Sequence, residues 1–433
     1  MATTSRRDIL RIGVGALGAG VLLPSATGLA MARAATRSHG AAPSSYTLWT
    51  YTNPVGGTNV IKQMAAAYNA AKHQSISFNI SAIAGSGFPL YEAKIQSLIA
   101  SGQAPDFFQN WIGSLSKPYI TSGAVQPLDA WFTQYGWNKI LLQDAIDYVS
   151  YKGHKYGVPI SLRLMPFWYN KKLFAKAGVT LPKTYAEFES MNNTLVKHGI
   201  SPLASGALFG WDLMRLFQYL LEVAVGPAYH DRLLSLQASW DTPAVADAFS
   251  LLKQWGDNGW IEKGYLGTNP NDADNLFQAG KIAMDLTGGW EEGQLKQSGA
   301  NEADFDVFAA PTGHTPTRIS GFAEQWQIST KVTGPRLASL GEYMNWIVQQ
   351  PQMGKYFYNS GTATKGGIPT GNPLSAKILA LSEKVKSYTV MDEALSQQFI
   401  NTFFSLQDQV CKGSVSPKSA AQQMQKAALT QRG

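Results

Sequence analysis

The chain has 433 residues, of which 15% are charged and 11% aromatic, with twelve tryptophans. Residues 1–37 hold five arginines against Asp8, so they carry +4 of the formal net +7, and the small remainder excludes a nucleic-acid footprint. One cysteine, Cys411, excludes an internal disulfide, a cysteine-rich metal site and a lipid anchor on a cysteine after the leader.

Taken in chain order, the first feature is an export address. Ser5-Arg6-Arg7-Asp8-Ile9-Leu10-Arg11 looks like a twin-arginine signal, an apolar region follows from Ile12 to Leu23, and small residues offer cleavage near Ala32 or Ala34. The apolar run is too short to span a bilayer, which takes about 20 residues. Residues 1–34 are therefore expected to be a signal peptide, and 35–45, rich in Ala, Ser and Gly, a flexible leader. Export of a folded chain to the periplasm or cell exterior is implied.

Helix and strand patterns alternate from there on. YTLWTY (46–51) has strand composition, 60–71 and 92–100 have helical spacing, and 106–109 is a short strand. Thr184 with Glu187 forms a capping box, and Thr242 before Pro243 reads as an N-cap followed by proline at the first helical position. Asp272-Ala273-Asp274 starts like a calcium loop but lacks the later Gly and Glu, so it reads as a solvated loop. This alternation implies an α/β class with largely parallel sheets. A folded portion of this size divides into two lobes rather than one core.

Residues 276–295, LFQAGKIAMDLTGGWEEGQL, are the most telling stretch. A helix end stops at Gly280, suited to the left-handed C′ position. Ile282, Met284 and Leu286 alternate like a strand, and Thr287-Gly288-Gly289 leads to Trp290. Two glycines permit a tight turn and close backbone approach to a ligand. Glu291 and Glu292 suit the first turn of another helix. Trp290 thus stands past the carboxyl end of a strand, where open α/β sheets bind ligands. A core role for the indole is the competing reading.

These motifs resemble the bacterial extracellular solute-binding proteins of ABC importers, in the sugar-binding, maltose-binding-protein-like branch. The likeness runs from about residue 46 to the C-terminus. YEAKIQSLIASGQAPDFFQNW (91–111), GAVQPLDAW (123–131), YGVPI (156–160), WYNKKLFAKAGV (168–179), TYAEF (184–188) and GFAEQWQIST (321–330) stand in the family's order. The resemblance implies a class II periplasmic-binding-protein-like α/β fold with a ligand cleft between two lobes and three hinge crossings. Lobe one would comprise 46–158 plus 312–361, lobe two 159–311 plus 362–433, with crossings near Pro159, Pro311 and Gly361–Gly367. It implies a carbohydrate ligand, permease subunits of an importer and the twin-arginine export machinery as partners, a monomer, no nucleic acid and no cofactor.

A sugar site needs aromatic faces for the ring's C–H groups and a few fixed donors and acceptors for its hydroxyls. Loops after strands offer Tyr51 and Asn53, Asn110 and Trp111, Ser161 and Arg163, Trp211 and Asp212, Trp290 and Glu291, and Glu324 and Trp326. Each has a plain structural alternative: turn or cap chemistry for Asn53, Asn110 and Asp212, an ion pair for Arg163, core packing for the tryptophans. Catalytic signatures such as G-x-S-x-G, a P-loop or H-E-x-x-H are absent from the sequence, and no metal site is expected. A glycosidase pair stays open at this point, because separation in space defines it. A polyol or phosphodiester ligand is the other alternative.

Overall fold

A computed structural model describes residues 44–52, 57–84, 88–349, 351–353, 362–367, 371–382 and 384–432. The expected signal peptide, most of the leader and Asn53 lie outside them.

Two sheets organise the fold. The larger contains β1 (Ser44–Thr52), β2 (Ile76–Ala84), β3 (Phe107–Asn110), β6 (Val158–Met165), β11 (Arg318–Ile328) and β12 (Lys386–Thr389). The smaller contains β7 (Phe167–Asn170), β8 (Ser201–Ala204), β9 (Ile282–Leu286) and β10 (Phe305–Phe308), in the order β10-β7-β9-β8. A separate hairpin joins β4 (Ser150–Tyr151) to β5 (His154–Lys155). Each sheet carries its own helices, giving two α/β lobes. Tyr46, Leu48, Phe107, Trp326 and Tyr343 lie in the core of the large-sheet lobe. Phe188, Phe217, Trp240, Phe249 and Trp255 lie in that of the small-sheet lobe. Full burial of apolar side chains of this kind stabilises by about 1.5–3 kcal/mol each.

The alternation read from sequence is present. The strand at 46–51 is β1, and helices Gly57–Lys72 and Phe88–Ala100 cover the two helical windows. Thr184 Oγ1 accepts from the amide of Glu187, while the Glu187 carboxylate accepts from Lys183 N, one residue before the expected Thr184. Thr242 caps helix Pro243–Asp257 through the Val245 amide. Gly280 follows helix Pro270–Gln278 with φ 67°. One local expectation fails. Asp272 and Asp274 are not in a solvated loop: Asn269 caps this helix, Pro270 occupies its first turn, and Asp274 is buried on its inner side.

Sheet membership departs from the expected lobe boundaries in two places. The change of sheet expected near Pro159 falls inside β6, whose eight residues are all buried and which pairs with β11 from Val158 to Met165. A strand covered on both faces reads as a continuous run without a boundary signal. The chain leaves the large sheet at Pro166 instead. It returns between Phe308 and Arg318, around Pro311. Residues 386–389 then rejoin the large sheet as β12, parallel to β11. Farther on, helices Gln397–Cys411 and Pro417–Arg432 pack on the small-sheet lobe with Pro243–Asp257.

β11 is the strand on which the large sheet turns. Its first half pairs with β12, its second half antiparallel with β3, and its other edge with β6. A bulge interrupts the β6 register between Glu324 and Gln325.

Candidate functional site

Strand alternation on β6 and β11 builds one wall. Ser161 pairs with Glu324 and Arg163 with Phe322, so these four residues share a face of the sheet. Arg163 Nη2 donates to Glu324 Oε2 at 2.7 Å, and Ser161 Oγ donates to the same oxygen at 3.1 Å. Both side chains of the ion pair are 9% exposed. Arg163 Nε has no hydrogen-bond partner among the described residues.

Helix Phe88–Ala100 and the end of β3 add aromatic surface to that wall. Tyr51 meets Trp111 edge-on at 5.5 Å and Tyr91 at 6.1 Å. Burial, then Glu324, pushes the Tyr51 hydroxyl up, while Arg163 pulls it down, so the phenol belongs to the neighbourhood of the ion pair. Glu92, one residue past Tyr91, is pushed up to about 8 by burial and is a neutral acid at pH 7.

The small-sheet lobe supplies Trp290. The strand β9 ends at Leu286, and Trp168 Nε1 pins the following turn by donating to Thr287 O at 3.1 Å. Trp290 precedes helix Glu291–Ser298. Its ring folds back over Gly288, where a Cβ would lie 2.0 Å from Trp290 Cζ3. The indole itself therefore demands a glycine at this position. Three groups surround the ring: the guanidinium of Arg163 at 5.2 Å, that of Arg215 at 5.3 Å, and Phe322 at 6.1 Å. Arg163 and Phe322 belong to the large sheet and Arg215 to helix Trp211–Leu234, so the half-buried Trp290 stands where the two lobes meet.

The other expected residues divide. Trp211 lies 4.4 Å from the Arg215 guanidinium, which joins it to the same cluster. Asn110 is spent on structure: its amide donates to Gln327 Oε1 and Leu115 O, and its oxygen accepts from the Trp111 amide. Asp212 accepts from Gly206 N at 2.7 Å and from Arg215 at 3.4 Å, tying the preceding loop to the helix. Trp326 is a correction. The bulge after Glu324 turns it to the opposite face, where it is 1% exposed in the core beside Phe107 at 5.6 Å. Glu291 is another. It is fully buried, among Asp274, Asp285 and Gln278.

Sequence reasoning missed Arg215, Tyr91, Glu92 and Phe322. For Arg215 a signal exists: it stands three residues after Asp212 and four after Trp211, the spacings that face each other on a helix. The assembled surface can stack a ring against aromatic faces and offer one charge-neutralised guanidinium–carboxylate pair to hydroxyl groups.

Residues 55–336 match the family described as bacterial extracellular solute-binding protein. This chain belongs to that family. It is 25% identical over 275 residues to an ABC transporter extracellular-binding protein of Pyrococcus horikoshii, covering 62% of this chain and 60% of the relative. It is 27% identical over 237 residues to a maltotriose-binding protein of Pyrococcus abyssi, covering 52% and 45%. The aligned stretch thus spans about half to three fifths of these relatives. In three dimensions it resembles a chitin oligosaccharide binding protein, with a TM-score of 0.78 over 90% of this chain and 99% of that one, at 21% identity. The two-lobed fold of this solute-binding protein is accordingly that of its family.

Proposed function

We propose that this solute-binding protein is exported, binds a carbohydrate between its lobes and hands it to the permease of an ABC importer. One observation carries the reading: Trp290 from one lobe meets Arg163, Glu324 and Phe322 from the other, with Tyr51 and Trp111 beside them. Aromatic faces joined to a neutralised ion pair suit a neutral polyhydroxylated ring. A phosphodiester is disfavoured, because Arg163 is already paired with Glu324 and Arg215 faces carboxylates. Relatives named for maltotriose and chitin oligosaccharide agree with a sugar.

Hinge closure is the proposed mechanism. A ligand touching both lobes binds the closed form better and shifts the population towards it. Lobe one is taken as 46–158 plus 312–361 and lobe two as 159–311 plus 362–433, except that β6, with Arg163, and β12 pair in the large sheet and count with lobe one. The protein is proposed to act as a monomer without cofactor, catalysing nothing, after twin-arginine export and without a lipid anchor.

A calorimetric screen of mono- and oligosaccharides, including amino sugars, tests the reading, with Trp290→Ala as the discriminating variant. Loss of a desolvated aromatic contact weakens binding by about 2 kcal/mol, roughly thirtyfold. A core tryptophan would instead lower folding stability by about 3–5 kcal/mol with affinity intact. Heat with no sugar in the screen, or sugar binding untouched by the variant, removes the carbohydrate site from this cleft. Product release during incubation would make the chain an enzyme.

A further inference from the structure

Behind Trp290 the small-sheet lobe holds an unusual concentration of acid. Asp212 comes from the start of helix Trp211–Leu234, Asp274 from helix Pro270–Gln278, Asp285 from β9, and Glu291 from the first turn of helix Glu291–Ser298. All four are buried, the most exposed at 7%. Among the described residues Asp285 Oδ2 has no hydrogen-bond partner, and the neutral Gln278 faces Glu291. Arg215 faces Asp212, Asp274 and Asp285 of this group, and also Asp392 from helix Met391–Ala394.

Ionised carboxylates so placed would repel one another without water to screen them. Burial therefore raises all four. Burial first and Asp212 second push Asp274 up to about 7, against Arg215 and a hydrogen bond with Asp285 that lower it, while burial and then Asp274 push Asp285 and Glu291 well up. Arg215 lowers Asp212 against its burial. Burial also lifts Asp392 to about 6. On the far side of the indole stand Arg163 and its partner Glu324.

Arg215 has two competing attachments. Its guanidinium stacks on Trp211 at 4.4 Å and reaches Trp290 at 5.3 Å. Its ion pair with Asp212 is long, at 3.4 Å. A cation over indole gains about 0.5–2 kcal/mol, which a nearby ionised carboxylate in a buried setting can outweigh.

We propose that Arg215 is the positioning residue for Trp290, and that the carboxylates behind it make its hold on the two indoles depend on pH. With the cluster protonated, the guanidinium stays between Trp211 and Trp290 and fixes the ring at the lobe junction. As the cluster loses protons, the carboxylates draw the guanidinium inward and the indole loses its support. The consequence for ligand binding rests on the carbohydrate reading given above; the switch itself does not. Its direction follows from the chemistry: the hold is tight in acid and relaxes as pH rises through neutrality.

The test is ¹⁹F NMR of the full mature chain labelled with 5-fluorotryptophan. Trp290→Phe assigns the Trp290 resonance, and Trp240→Phe assigns a fully buried control. Between about pH 5.5 and about pH 9, a span around the cluster's protonation range, the Trp290 resonance should move along a titration curve while the control stays still. Asp274→Asn should displace the midpoint and Asp285→Asn should reduce the amplitude. Arg215→Met should abolish the movement, and Arg215→Lys should restore part of it. A Trp290 resonance that ignores pH, or one whose curve is identical in Asp274→Asn, Asp285→Asn and Arg215→Met, overturns the proposal. No sugar is needed, so this outcome and the failure of the carbohydrate screen are separately readable.

Discussion

Helix Trp211–Leu234 roots two buried charge networks, and they are built on opposite terms. Across its second half, Glu222 accepts from His230 Nδ1 and from the Arg318 guanidinium, and Arg318 grips Asp231 at 2.8 and 2.9 Å and Pro227 O at 3.1 Å. Burial alone would raise Glu222, but the hydrogen bonds from His230 and Arg318 outweigh it and hold the carboxyl below its usual range. Near the N-terminal end, Asp212, Asp274 and Asp285 face Arg215 with Glu291 beside Asp274, and burial wins, so all four values rise. The first network matches cation to anion and ties the small-sheet lobe to the start of β11. The second leaves acid in excess, directly beneath Trp290. Satisfied charge gives a fixed joint, and unsatisfied charge gives an adjustable one.

The comparison breaks first at Arg318. Replacing it by Met leaves Glu222 buried beside His230 alone, and loss of one partner of a buried pair costs about 3–5 kcal/mol. Urea denaturation reads the change directly. A loss below about 1 kcal/mol, the scale of an exposed pair, would mean that the matched network is not a joint at all. A cost of similar size, about 3–5 kcal/mol, is expected for Trp326→Ala, since its indole fills the core beside Phe107. Affinity for any bound sugar should survive in the molecules that remain folded. Weakened binding at full stability would return Trp326 to the cleft.

The unmatched network should appear in the pH dependence of stability. A carboxyl whose folded value is raised holds a proton that the unfolded chain has released. Its contribution is complete below the unfolded value and is lost as pH rises through the folded one. Stability should therefore decline as pH rises above the ordinary carboxylate value of about 4, with the share of Asp274 spent by about 7 and the decline carried further by Asp285 and Glu291, which burial and then Asp274 raise well up. Each retained proton makes the slope about 1.4 kcal/mol per pH unit. Asp285→Asn should flatten that slope in denaturation curves taken across the range, and an unchanged slope would place the titration elsewhere. Glu222 has the opposite sign, with stability present above its unfolded value and lost only as acid protonates it. The smallest effect is expected at Lys253–Asp257, an exposed i,i+4 pair at 2.7 Å. Lys253→Met should change stability by about 0.3–0.5 kcal/mol. A larger change would show that exposure is a poor guide to the value of charge in this molecule.

Much of the architecture was legible in local patterns. Alternation at Ile282, Met284 and Leu286 marks β9, and Thr242-Pro243 marks a helix start that the structure contains. What escaped was whatever depends on a partner distant in the chain. VPISLRLM carries no sign that it pairs with residues 320–326, and KSYT is too short and polar to announce β12. The bulge that separates Glu324 from Trp326 is a matter of register, which periodicity alone cannot reveal. Asp274 looked like loop chemistry because its burial comes from Asp212, Asp285 and Glu291, brought together by four separate segments. Trp290 was legible as a residue past a strand end, whereas the pairing of Arg163 with Glu324 beside it depends on the β6–β11 register.

The long strand β11 also has a consequence for synthesis. β7, β8, β9 and β10 all lie between residues 167 and 308, so the small sheet can complete itself before β11 is made. β3 ends at Asn110 and waits for Gln325–Ile328 to cover its edge, a gap of more than 200 residues. At about 5–20 residues per second, the ribosome takes roughly 10–40 seconds to fill that gap. Through that interval the strand carrying Phe107 and Phe108 presents an apolar, unpaired edge, the kind that recruits other strands. Protease protection of the first three strands in stalled nascent chains should therefore appear only once the stall point has carried residue 328 clear of the exit tunnel. For a protein expected to cross a membrane already folded, the early strands form a debt of time that only the late ones can discharge.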